Sequence, residues 1–378
     1  MPSRFAGSRN IRTDNLTRVA RLGENFLMKQ KRNLKLMKFW RHIVYVISTA
    51  CFLFFSVGGA QAGLRISDRN SNAYIGLLIP VGPAHYAVIM KKFKKVKSVR
   101  IGQFEYQIGS IYEIPVVICI QPFGGEYTRA LTAQVMVDHF KIKALLYPGT
   151  SGAHIPPGKM HIGDIVIGTK QVNFANFYMS PTGKITPDEF SGKSSLRDYQ
   201  YFYLNKKLEK YTACAARYVS DREELPSWIN GKYKIQKPAI YYYGIQGTST
   251  MWLADKSFIK KTDDVFHEVD EDGDWFSATV AKLAKIPFIE VSTISDSVFE
   301  FSGNGVPPRG EHRKTASQIT QDISDKIILR VIKTYGYNLL NKKYSYPLRN
   351  PYPVSFYRTP TDPRGLIDAC QARQRTTS

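Results

Sequence analysis

Acidic residues are scarce in this chain: 31 Asp and Glu stand against 53 Lys and Arg, for a formal charge of +22 over 378 residues. Such a balance suits phosphorylated ligands, anionic cell-surface polymers or nucleic acid, or is simply a basic solvated surface. No block of lysines and arginines is interleaved with stacking aromatics, so a nucleic-acid reader is not expected. Cysteine is also rare, with four in the chain, and no Cys/His cluster has metal-ligand spacing. The acidic run Asp270-Glu271-Asp272-Gly273-Asp274 has its glycine too early for a calcium-binding EF-hand loop. The one long apolar run, Ile43 to Val57, falls short of the roughly 20 residues of a spanning helix. No internal repeat is visible.

What is present begins with a leader pattern. Lys38 and Arg41 precede that apolar run, and Ala60-Gln61-Ala62 closes it. A charged segment, an apolar segment and an A-x-A site read as a signal peptide cleaved after Ala62, with Gly63 as the mature terminus. Residues 1–62 form this signal region, with Met37 as the expected start of translation. The expected protein is therefore secreted or extracytoplasmic, with no stable membrane insertion after processing. Of the cysteines left, Cys119 sits in an apolar strand and reads as a buried thiol. Cys214 and Cys370 lie in polar surroundings, and one disulfide between them is available in an oxidising compartment.

The remainder alternates strands and helices, which indicates an α/β fold. Strands are expected at Tyr74 to Pro80, Ile101 to Ile108 and Ile114 to Ile120, with the basic run Lys91 to Arg100 as a helix end and strand entry. A helix follows Gly124-Gly125, from Thr128 to Phe140, with one apolar face. Ala144 to Tyr147 reads as a buried strand breaking into a small-residue turn, Gly149-Thr150-Ser151-Gly152, before a second strand through Ile167. Residues 170–236 form a tyrosine- and lysine-rich insertion with a helix around Leu204 to Tyr218. The sheet resumes at Pro238 to Ile245 and leads to Gly247-Thr248-Ser249-Thr250-Met251-Trp252. Residues 258–268 are amphipathic connectors. Asp270 to Asp274 opens a helix through Leu283, acidic at its N-terminus as the dipole prefers. A strand from Ile286 ends in Ser292-Thr293-Ile294-Ser295-Asp296, and Thr315 to Leu340 is a long helix. Residues 342–378 read as an irregular tail.

Four segments in order resemble the nucleoside phosphorylase / methylthioadenosine–adenosylhomocysteine nucleosidase superfamily: the Tyr74–Pro80 strand, Gly124-Gly125, the Gly149–Ile167 unit, and Val269 to Asp296 with its terminal Ile-Ser-Asp. The insertion and leader resemble the plant bark and vegetative storage protein branch. The resemblance implies a single phosphorylase/hydrolase-like domain over residues 63–341, with a central mixed twisted sheet flanked by helices. It implies that Asp296 protonates a purine so that the base can leave. A carboxylate holding the ribose hydroxyls is expected at the start of the acidic helix. An ungapped alignment puts Gly273 there, and one inserted residue puts Asp272 there with Glu271 as neighbour; Asp272 is the choice made. Thr150 matches the residue contacting the nucleophile, Thr248 and Met251 the segment lining the base, and Gly125 and Glu126 the border. At the position of the water-activating glutamate this chain has Ala84, followed by His85.

Two functions follow from this. One is cleavage of the N-glycosidic bond of purine nucleosides, by water or with inorganic phosphate as co-substrate and no other cofactor. The other is a catalytically impaired secreted nucleoside-binding or storage protein. Arg129 is the nearest cation for a phosphate. A homo-oligomer is compatible with either.

Overall fold

The computed structural model describes residues 72–79, 85–120, 125–156, 159–187, 201–223, 225, 237–309, 314–345, 352–368 and 370. The leader and Ala84 lie outside the described residues. Among these, no helix is long and apolar enough to cross a membrane.

The chain opens with β1 (Tyr74–Ile79), a short α1 (Ala87–Met90), and the meander β2 (Phe93–Ile101), β3 (Phe104–Ile111) and β4 (Ile114–Ile120). Helix α2 (Glu126–His139) leads into β5 (Ile142–Ala153), then β6 (Ile165–Ile167) and β7 (Lys170–Asn173). The insertion contributes β8 (Phe177–Met179), β9 (Ile185–Pro187), β10 (Tyr201–Tyr203) and α3 (Lys206–Arg222). Next come β11 (Ile240–Tyr241), β12 (Ile245–Thr248), α4 (Lys256–Phe266), β13 (Asp270–Glu271) and α5 (Trp275–Leu283). The chain closes with β14 (Phe288–Asp296), α6 (Ala316–Asn341) and α7 (Val354–Tyr357).

The centre of the sheet is parallel: β4, β1, β5 and β14 lie side by side. Antiparallel pairs extend it, β2–β3–β4 at one edge and β10–β7 at the other, so the sheet is mixed. Both faces are covered, as a parallel centre requires. Along β1, Ile75, Leu77 and Ile79 enter one core with Ile323, Ile327 and Val331 of α6. Leu78, on the opposite pleat, packs with Met136 of α2 and Ala278 and Ala281 of α5. At Gly76 an added Cβ would meet Met136 Sδ and Leu145 Cδ2 at 2.6 Å each, so only glycine lets α2 lie this close.

Four local expectations are corrected. The basic run is itself a strand, β2, at the sheet edge, where exposed lysines are tolerated and discourage further pairing. The chain turns at Gly102 (φ +60°), inside the stretch expected to be continuous strand. Tyr112 and Glu113, both at positive φ, then form the two-residue turn joining β3 to β4. Gly149-Thr150-Ser151-Gly152 is not a turn, because β5 continues through it, paired with Ser292 to Asp296 of β14. Asp270 and Glu271 belong to a short strand between β12 and β5, and α5 begins only at Trp275.

Residues 352–368, within the stretch expected to be irregular, are tied to the domain by side-chain bonds. The Tyr352 hydroxyl donates to the Glu209 carboxylate at 2.7 Å, Tyr243 donates to Asp362 at 2.8 Å, and Arg358 pairs with Asp263. Cys214 on α3 is disulfide-bonded to Cys370, 156 residues away, while Cys119 is a buried free thiol. Closing so long a loop restricts the unfolded chain, so reduction or Cys214→Ser is expected to remove roughly 3–5 kcal/mol of stability. Urea unfolding with and without reductant measures this, and coincident curves would show that the bridge contributes nothing.

Candidate active site

At the carboxyl edge of β5 and β14, where α/β folds place ligands, lies a cavity of about 650 Å³. Its floor is the Thr150-Ser151-Gly152 stretch of β5. A Cβ on Gly152 would stand 2.8 Å from Asp296 Oδ2 and 2.8 Å from Glu271 Oε1, so no more than about 5.6 Å separates these two oxygens. The glycine is required because two carboxylates converge over its Cα.

Asp296 ends β14 and is buried. Burial, reinforced by the charges of Glu271 and Asp272, outweighs the Ser295 hydroxyl donating to Oδ1 at 2.7 Å and lifts the carboxyl to about 7. A carboxyl in that range can hold a proton at neutral pH and hand it to a leaving group.

Glu271 is held from behind. Its Oε2 accepts from Leu253 N–H and lies 3.3 Å from His154 Nε2, and His154 Nδ1 lies 3.3 Å from Glu268 Oε1. All three side chains are buried. Burial alone pushes the imidazolium down, but hydrogen bonds to and charges on the two glutamates raise it to about 10. The result is a buried Glu–His⁺–Glu array with one end in the cavity.

Asp272 is placed differently from its neighbour. It sits at φ +84°, half exposed, and accepts from Arg129 Nη2 at 2.7 Å. The same guanidinium donates from Nη1 to the carbonyls of Asp272 and Gly273, so the left-handed backbone is held by charge-assisted bonds. Asp272 lines the cavity, but Glu271 is the carboxylate that faces Asp296.

The remaining expected residues divide. Gly125 (φ +108°), Glu126, Thr150 and Met251 all line the cavity. Thr248 does not: it is fully buried behind the wall, where its Oγ1 accepts from Trp275 N–H at the start of α5. The cavity is also lined by residues that no sequence pattern marks, among them Trp252 at the mouth and Ser317 in the first turn of α6. The helix start was legible, because Thr315 and Gln318 form a capping box. What the box delivers to the cavity was not. Among the described residues no side-chain group is arranged to hold a metal ion.

A model of the phosphorylase superfamily matches residues 74–217, which run from β1 into α3. Over that stretch the chain carries the pattern of the phosphorylase superfamily. Within it, the 5′-methylthioadenosine/S-adenosylhomocysteine nucleosidase of Maridesulfovibrio salexigens is 31% identical over 83 residues, 22% of this chain. The match spans only 35% of that relative's length. Among solved structures, the Campylobacter jejuni 5′-methylthioadenosine/S-adenosylhomocysteine nucleosidase superposes with a TM-score of 0.51 at 16% identity, covering 69% of this chain and 99% of its own. The futalosine hydrolase of Helicobacter pylori gives 0.50 at 15% identity, covering 69% and 97%. At such identities the structural likeness establishes the fold alone. It does not separate the superfamily's branches.

Proposed function

We propose that the protein is a nucleosidase, hydrolysing the N-glycosidic bond of purine nucleosides. The observation that carries this is the pair of carboxylates over Gly152, one of them raised by burial to about 7. In this reading Asp296, protonated, gives its proton to the purine as the bond from C1′ to the ring nitrogen breaks. Glu271, held by His154, accepts the ribose hydroxyls and favours positive charge developing on the sugar. Met251 and Trp252 flank the base at the mouth.

Water is favoured over phosphate as the nucleophile. Arg129 is the cavity's one lysine or arginine among the described residues, and its guanidinium is committed to Asp272 and two backbone carbonyls. The relatives named above, a nucleosidase and a hydrolase, accord with this. The Cys214–Cys370 bridge supports an extracytoplasmic setting.

Purified protein should release free base from at least one of adenosine, inosine and methylthioadenosine, at a rate indifferent to added phosphate. No release from any of them would refute the nucleosidase reading. Release only with phosphate would make the protein a phosphorylase.

A further inference from the structure

Away from the two carboxylates, the cavity wall carries a chain of hydroxyls that ends on a histidine. Thr150 Oγ1 and Ser317 Oγ are 3.2 Å apart, and Ser317 Oγ is 3.4 Å from His85 Nε2. All three residues line the cavity. They arrive from β5, from the first turn of α6 and from the residues preceding α1, so no local motif explains their meeting. Thr150 lies two residues before Gly152 on one strand. Residues two apart on a strand share a face with their Cα atoms about 7 Å apart. The span fits a sugar ring, with the leaving base at one end and the attacking atom at the other.

Water is too weak a nucleophile without a proton acceptor, and a positioned base is worth about 10²–10⁴-fold. Neither hydroxyl can keep a water proton at neutral pH. An imidazole nitrogen can accept and carry it. We propose that His85, acting through the hydroxyl of Ser317, takes the proton from the attacking water. This rests on the nucleosidase reading of the cavity.

Thr150 and Ser317 hold the water. Its oxygen forms the new bond to C1′ as the glycosidic bond breaks and that electron pair leaves with the base. The water proton passes to Ser317 Oγ while the Ser317 proton passes to His85 Nε2. His85 begins neutral with its proton on Nδ1 and ends as imidazolium; Asp296 begins protonated and ends as carboxylate. Solvent then returns the proton from one to the other, so the cycle is balanced. Contacts of this length are usual before substrate draws such a chain together. Asp322, on α6, is within electrostatic reach of His85, and Lys91, Lys314 and Lys326 act on the same carboxylate.

The test uses the whole protein and whichever nucleoside the parent cleaves. His85→Gln keeps a group able to bond Ser317 but cannot accept the proton, and Ser317→Ala breaks the chain while leaving the imidazole. Each should lower kcat by about 10²-fold or more, with KM changed by less than about threefold. The pH dependence of kcat in His85→Gln should differ from the parent's, because the proton acceptor is gone. Added imidazole should restore part of the rate to His85→Ala. Melting curves identify any variant that fails to fold, and in that event the rescue of His85→Ala decides. A parent-like rate and pH profile in His85→Gln would overturn the proposal while leaving the nucleosidase reading intact. A full rate in Ser317→Ala would overturn the relay. If the parent cleaves no nucleoside, or only with phosphate, the proposal falls together with that reading.

Discussion

Asp296→Asn is expected to lower nucleoside cleavage by about 10²-fold or more, with substrate binding much less affected. The asparagine keeps the shape and the acceptor for the Ser295 hydroxyl but has no proton to give. In the parent, the carboxyl lifted to about 7 must be protonated to act, so kcat should fall as pH rises through that value. The same group governs stability with the opposite advantage. Below an ordinary aspartate pKa, near 4, the folded and unfolded chains both hold the proton. Between that value and about 7 only the folded chain holds it, so stability falls as pH rises through this window and stays reduced above it. The cost is on the order of 4 kcal/mol at about 1.4 kcal/mol per unit. Asp296→Asn should therefore be more stable than the parent above neutral pH, in urea titrations, while being nearly inactive. A variant that cleaves as fast as the parent would remove Asp296 from the chemistry.

His154→Leu is expected to be the most destabilising single change near the site. It leaves Glu268 and Glu271 buried without the cation between them, and breaking a buried pair costs about 3–5 kcal/mol. The pH dependence has a definite sign. An unfolded histidine titrates near 6.5, and the folded one is raised to about 10 by the two glutamates after burial has worked against it. This stabilisation is complete below 6.5 and is lost as pH rises through about 10. Parent protein should weaken across that window in urea titrations, and His154→Leu should lack that slope. Activity should drop as well, because Glu271 loses the partner that orients it. A loss of less than about 1 kcal/mol at pH 6 would mean that the array carries little charge.

Much of this molecule is legible in its residue order. The central strands are continuous apolar runs because both of their faces are covered, as at Ile75 to Ile79. Thr315 and Gln318 mark a helix start through a local hydrogen-bonded box. These signals are confined to a few neighbouring residues, while Ile294-Ser295-Asp296 stands out only through its resemblance to the superfamily's motif, and Asp296 lines the cavity.

The rest was decided in three dimensions. Gly149 to Gly152 carries turn-forming residues, yet β14 supplies a paired neighbour along it, and strand pairing overrides the local preference. Whether Glu271 or Asp272 faces Asp296 across Gly152 depends on the left-handed backbone at Asp272 and on Arg129, 143 residues away in the chain. Thr248 lies one residue short of the lining stretch Ser249 to Trp252, and its hydroxyl is turned to Trp275 behind the wall. His85 and Ser317 are separated by 232 residues and meet only because α6 begins at the carboxyl edge of β5. Local order in the chain specifies which elements form; the distances between chemical groups come from how those elements pack, which no short stretch of sequence contains.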